Sequence, residues 1–373
     1  MEVRQQVPFA GLVVLLQEVK REVFMVKYVI KRLVLVLFTT FIILSLSFIL
    51  YKSLPIELPM GKPEQVSQFL NEQYILGYVV RFTEPTAGYG DPLGSVNGYQ
   101  IAGAGPYYIY YVRPIFEQYF VWLSNIFTRF DWGSSATLYP NQDCMMIIME
   151  KLPVTIQLNL IATLISVPIG ILIGIVAALH KDKPLDHAIN IIIMVIIAIP
   201  SFITILYLML IFGYNLQWLP TRWPQDDAPL ADKILGYVIP ELSLCLGSIA
   251  GFARFVRAEL CEVMSSDYLL LARTKGLTRR QSIIHHALRN SMVPVVPMII
   301  AQFFSILGGS MILENLYNIR GIGSLYMSAY GMKDWNLLMA DTAFYTIIGL
   351  AASVLVDLSY GFIDPRIRMG AKK

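Results

Sequence analysis

Side chains able to do chemistry are few in this chain, and they are scattered. The four histidines are His180, His187, His285 and His286. The last two are neighbours, so on a helix their rings point about 100° apart and do not easily share a metal ion. Asp341 and Asp357 stand in apolar sequence sixteen residues apart. Along one helix that is about 24 Å, too far for a general acid–base pair. No GxxxxGK[ST] phosphate loop, HExxH, CxxC or GxSxG pattern occurs. The three cysteines are Cys144, Cys245 and Cys261, and only Cys144 falls in the long segment after the first apolar run, which argues against a disulfide framework. These residue types point away from an enzyme, a metal site and a resident cofactor.

The exception to this dispersal is the charged stretch SSDYLLLARTKGLTRRQSIIHHALRNSMVP, from Ser265 to Pro294. Ser265, Ser266 and Asp267 are helix-capping types, and a helix of about two turns is expected after them. Gly276 supplies the left-handed residue that ends it. Thr278 and Gln281 have the spacing of a capping box, which starts a second helix. Pro294 follows about four turns on. Tyr268, Leu269, Leu270 and Leu271 form an apolar cluster beside the charges, as on an amphipathic helix laid in a partner's groove. A basic loop that merely sets topology needs neither the caps nor that cluster.

These elements must be carried by a membrane scaffold. Hydrophobic residues make up 56% of 373 and charged residues 15%, against about 25% charged in soluble domains. Six stretches are long and apolar enough to cross a bilayer: Leu33 to Tyr51, Leu152 to Leu179, Ala188 to Phe212, Ile234 to Ala253, Met292 to Leu313 and Leu337 to Ile363. The fold class expected is therefore an all-α integral membrane protein of about six transmembrane helices, with a large extracytoplasmic insertion between the first and second. Basic clusters precede span one (Lys27, Lys31, Arg32), separate spans two and three (His180, Lys181, Lys183), fill the stretch between four and five, and end the chain (Arg366, Arg368, Lys372, Lys373). With six crossings all four share one side, which the positive-inside rule makes cytoplasmic. Both termini and the capped insert are then cytoplasmic, in a cell (cytoplasmic) membrane. A net charge of +3 marks no nucleic-acid partner.

The domain boundaries follow. Residues 1–24 form an N-terminal extension suited to the membrane surface, with Met25 an alternative start; 25–51 hold the first span and 52–151 the extracytoplasmic segment. Residues 152–368 hold a core of five spans, including the cytoplasmic loop 254–290, and 369–373 a tail. A charged group at a helix centre costs about 2.5–3.5 kcal/mol on insertion scales. Glu241 and Asp341 are accordingly expected near the outer rim and Asp357 near the inner one. Gln157, Asn159, Glu241 and Asp341 are the candidates for a substrate path. Gln157 and Asn159 face different sides of a helix, so at most one lines the path while the other bonds a neighbouring helix. In the external segment, EPTAGYGDPLGSVNGYQIAGAGP reads as loop, and Ile115 to Phe130 recovers helical periodicity. Its many tyrosines suit a docking protein, sugar rings or a plain membrane cap.

The insert resembles the cytoplasmic loop of permease subunits of binding-protein-dependent ATP-binding cassette importers, in the dipeptide/oligopeptide family. That family's DYVRTARAKGL and HALRNALIPVV are matched here by Asp267 to Leu277 and by His286 to Pro294. Glu314, Gly321-Ile322-Gly323, Val356-Asp357, Asp364 to Arg368 and the stretch 148–180 extend the match. Leu270 and Leu271 depart from the family's polar residues, and the stretch around Arg81 to Tyr111 looks inserted. The resemblance implies a second permease subunit, two ATPase subunits holding ATP and magnesium, and an extracytoplasmic substrate-binding protein, all within membrane lipid. It further implies that Asp267, Tyr268, Leu271, Ala272, Arg273, Lys275, Gly276, Leu277, His286, Arg289 and Asn290 couple this chain to an ATPase. Peptides are the family's main cargo, with oligosaccharides the alternative and nickel disfavoured by so few histidines. A membrane enzyme would need a polar cluster at one depth. An ATPase-independent channel or secondary transporter would need no docking knob.

Overall fold

The computed structural model describes residues 9–54, 58, 63–89, 91–93, 108–305 and 310–363. Gly308, Gly309, Asp364 to Arg368 and the loop stretch 94–107 lie outside the described residues. Helix α1 (Phe9–Lys52) leads to α2 (Pro63–Ile75), then to a ribbon of β1 (Val79–Phe82) and β2 (Ile109–Val112), and to α3 (Ile115–Arg129). Next come α4 (Cys144–Leu179), α5 (Pro184–Ala198), α6 (Ser201–Leu208) running into a wide π-helical stretch Met209–Asn215, and α7 (Leu230–Met264). Three short helices follow, α8 (Asp267–Thr274), α9 (Arg279–Ser282) and α10 (Leu288–Ser291), the last two joined through the π-helical turn Ile283–Ala287. Helices α11 (Val295–Ser305), α12 (Met311–Leu316), α13 (Ile322–Gly331) and α14 (Trp335–Ile363) complete the described chain.

Among the described residues, four helical stretches are long and apolar enough to cross a membrane: Val29–Lys52, α4, α7 and Trp335–Ser359. The number is six if each of two bent pairs counts as one span. The stretch expected as span three breaks between α5 and α6, whose combined path bends by 95°. Pro200 lacks an amide proton and pushes Ile199 into extended backbone, φ −95° and ψ 115°. The stretch expected as span five, Met292 to Leu313, holds the shorter α11, and the second bent pair joins α11 at 48° to Arg279–Ser291, expected as cytoplasmic loop rather than span. The mostly helical chain also carries one departure from an all-α reading. β1 and β2 pair antiparallel, with Val79 opposite Val112 and Phe82 opposite Ile109. β-Branched and aromatic residues fill all of these two short runs except Arg81 and favour the pleated surface.

The bundle is organised on α4 and α7, whose backbones meet. A Cβ on Gly170 would lie 2.9 Å from the Ile249 carbonyl oxygen, and one on Gly174 would lie 2.7 Å from that of Ala253. This is the small-xxx-small spacing that allows close helix approach in lipid. Helix α1 runs antiparallel to α14. Arg32 pairs with Asp357 at 2.9 Å at one end, and Lys52 donates to Asn336 at 3.2 Å at the other. α1 is unbroken from Phe9, so Met25 falls within a helix.

At the Lys52 end, the segment between α1 and α4 is packed down rather than free. Phe48, Tyr78, Trp122, Trp132, Ile147 and Leu338 share one core. Asp334, fully buried, caps α14 through the Leu337 amide at 3.3 Å. Its carboxylate also accepts from the Ser135 hydroxyl at 2.6 Å and the Thr137 and Leu138 amides at 3.0 and 3.1 Å. One carboxylate thereby fixes the 135–138 loop to the start of the last helix.

Candidate coupling site

The Ser265–Pro294 stretch forms two short helices meeting at a tight corner. Ser266 holds the N-cap position of α8 in extended backbone, but its hydroxyl donates back to the Val263 carbonyl at 2.6 Å instead of capping. Ser265 does the same toward Glu262 at 2.8 Å. Both serines thus tie α8 to the end of α7. Gly276 has φ +94°, and a Cβ there would meet nothing within 4 Å. Its requirement for glycine is a backbone one. Thr278 opens α9 with both halves of a capping box: its hydroxyl accepts from the Gln281 amide, and the Gln281 side chain accepts from the Thr278 amide at 3.0 Å.

The corner is anchored by an apolar core. Leu269, Ile283 and Ala287 are buried against Ala178 of α4 and Leu260 of α7. Leu270 and Leu271 point the other way, 61% and 56% exposed, with Tyr268 and Ile284 beside them. Arg273, Lys275, Arg279, Arg280 and Arg289 are exposed on the same projection, and exposed apolar side chains together with charged ones are what a protein-docking surface offers. Of the residues singled out from sequence, Asp267, Tyr268, Leu271, Arg273, Lys275, Gly276, His286, Arg289 and Asn290 are exposed on this projection; Ala272 and Leu277 are half-buried.

A second connection went unread in the sequence. Asp186 on α5 is fully buried and receives a two-pronged contact from Arg257 of α7, Nε at 2.6 Å and Nη2 at 2.7 Å. The Asp182 amide and the Asn190 side chain also donate to it, at 3.1 and 2.7 Å. Arg257 lies one turn before Leu260, so the clasp joins α5 to the core that anchors the projection. The only local signal was Asp186 in the first turn after Pro184, which reads as ordinary helix-start chemistry.

Among the described residues, no hydrogen bond joins one candidate path residue directly to another. Gln157 is exposed and accepts from the Tyr237 hydroxyl of α7 at 3.2 Å. Asn159 donates to its own helix at the Thr155 carbonyl, 2.8 Å. Glu241 and Asp341 are both buried within this chain. Glu314 and Gly321-Ile322-Gly323 do converge. The buried Glu314 carboxylate accepts from Thr155 at 3.2 Å and from the Ser324 amide at 3.2 Å, and Thr155 accepts from the Ile322 amide at 2.9 Å. A carboxylate at the start of α13 complements that helix's dipole. A Cβ on Gly321 would strike both Glu314 and Thr155.

Residues 170–369 match the family of binding-protein-dependent transport system inner membrane components. The chain belongs to this permease family. The match takes in the whole projection, the clasp and Glu314, but not Thr155 at the Glu314 junction. Among permease relatives, the dipeptide transport system permease protein of Lactococcus lactis subsp. cremoris is 30% identical, over 92% of this chain and 100% of its own length. The corresponding dipeptide permease of Bacillus subtilis is 31% identical over 93% of this chain and 100% of its own. The oligopeptide transport system permease protein of Haemophilus influenzae is 29% identical over 92% and 100%.

Proposed function

We propose that this chain is a peptide-importing permease subunit of an ATP-binding cassette transporter. It pairs with a second permease subunit around a shared path, receives peptides from an external binding protein, and is driven by two separate ATPase subunits that bind ATP and magnesium. The full-length similarity to dipeptide and oligopeptide permeases supports peptide cargo over oligosaccharide. In this reading the basic projection lies in the cytoplasm, and α8 is the element seated in an ATPase groove.

One observation carries the reading: a capped corner with a buried base, Leu269 and Ile283, and an apolar outer face, Leu270 and Leu271. An ATPase that closes on nucleotide changes the equilibrium between inward-open and outward-open states only through differential contacts. A rigid element transmits those contacts to the ends of α4 and α7, whereas a loose loop would absorb them. The test is disulfide trapping from Leu271→Cys to cysteines in the groove of the co-expressed ATPase. Cross-linking that varies with nucleotide state is expected, and no cross-link at any groove position would remove the assignment. The purified chain alone should hydrolyse no ATP, and sustained hydrolysis by a clean preparation would end the permease-only reading.

A further inference from the structure

Helix α3 buries one side and leaves a row of phenyl rings on the other. Gln118 and Trp122 are buried, whereas Phe116, Phe120 and Phe127 are 75%, 67% and 77% exposed. The buried side docks on α1 well below its end. The Tyr119 hydroxyl shares a 2.7 Å hydrogen bond with Ser45, and the Trp122 ring centroid lies 4.8 Å from that of Phe48. Ser45 is seven residues inside Lys52, where the membrane-length stretch Val29–Lys52 ends. Seven helical residues are about 10 Å of axis. At this level α1 itself exposes Leu46, Ile49 and Leu50, so both helices present large apolar side chains outward.

We infer that α3 is an interfacial membrane helix, with Phe116, Phe120 and Phe127 among the acyl chains of the leaflet at the Lys52 end. Two further observations fit this placement. Glu117 and Arg129 stand in the first and last turns, from which charged tips reach headgroups. Phe130 ends the helix at φ 54°, a conformation uncommon for a bulky residue, with its ring still outward. The inference rests on α1 crossing the membrane and is independent of the cargo. It assigns the aromatic side of this segment to lipid, not to a docking protein or a sugar.

The test is nitroxide labelling of Phe116→Cys, Phe120→Cys and Phe127→Cys, one at a time. The full chain is co-expressed with its partner subunits and reconstituted in phosphatidylethanolamine–phosphatidylglycerol vesicles. Cys144 and Cys245 are buried, and the unsubstituted protein supplies the background from Cys261. Labels at all three sites should collide more often with oxygen than with a water-soluble nickel chelate, as a label at Leu46→Cys does, while one at the exposed Glu84→Cys does the reverse. Preference for the chelate would place the helix in water, and low collision with both reagents would place a protein over it; either overturns the inference. Should Leu46→Cys also prefer the chelate, α1 is not a span there, and the inference falls with it.

Discussion

Leu269 and Leu271 sit two residues apart on one short helix, and their neighbours give them opposite work. Leu269 is buried against the ends of α4 and α7, whereas Leu271 is exposed. Leu269→Ala should destabilise the corner by about 2–5 kcal/mol, the usual range for a core leucine, and lower the melting temperature of the purified chain. Leu271→Ala should leave that temperature unchanged and weaken capture of the ATPase. Equal thermal effects for the two would mean that the outer face is not a docking face. Gly276 poses a purely conformational question. With open space around it, Gly276→Val should cost about 1–2 kcal/mol through backbone strain alone. Insertion should stay normal while transport and substrate-stimulated ATP hydrolysis fall. Gly276→Asn, better suited to positive φ, should retain more of both.

Between elements, the decisive contacts are close approach and ion pairing. Gly174→Val would put branched carbon against the Ala253 carbonyl and Val256. Forcing α4 from α7 should cost about 1–3 kcal/mol or more, the scale of overpacking, and appear as a lower melting temperature and fewer assembled complexes. Gly247→Ala on α7 is the control, since its Cβ would meet nothing within 4 Å. The Asp186–Arg257 clasp makes a sharper prediction. Arg257→Leu removes both guanidinium donors from the Asp186 carboxylate and should cost about 1.5–3 kcal/mol, the scale of hydrogen bonds to a charged group. Arg257→Lys keeps the charge but loses the planar fork, so its thermal loss should be smaller. If the clasp also carries motion from α7 to α5, Arg257→Lys should still uncouple ATP hydrolysis from transport in reconstituted vesicles. Normal coupling in that variant would make the clasp purely structural.

For the whole molecule, the two ends of the bundle have different characters. At the Lys52 end, aromatic packing and the Asp334 network bind the inter-helix segment to α1 and α14. At the other end, the corner rises on a small apolar base and keeps an apolar face outward. Local stability differs where packing differs. Hydrogen exchange on the isolated chain should therefore show α8 and α9 opening before α4 and α7, with protection of α8 rising when ATPase subunits are added. Unchanged exchange in α8 across that addition would place the contact elsewhere.

Part of the corner's backbone geometry was legible because its determinants are local. Gly276 satisfies a backbone angle, Thr278 and Gln281 close a four-residue box, and the apolar runs declare their length; none of these needs a distant partner. Prolines show where local reading stops. Pro200 breaks a path by 95°, yet Pro153, Pro168 and Pro240 lie inside unbroken helices. Neighbouring helices can resupply what a proline removes, and no nearby residue says whether they do. The same holds for Gly170 and Gly174, whose spacing permits close contact but does not name α7. It holds too for Asp186, which finds Arg257 seventy-one positions away, and for Glu314, which meets Thr155 across 159. The sequence alone determined a membrane-embedded helical chain with a rigid, charged corner, since periodicity, capping and hydropathy act over a few residues. Tertiary structure decided which helices touch, which carboxylates are buried and which side of α8 stays outward, because those depend on groups brought together only when the chain folds.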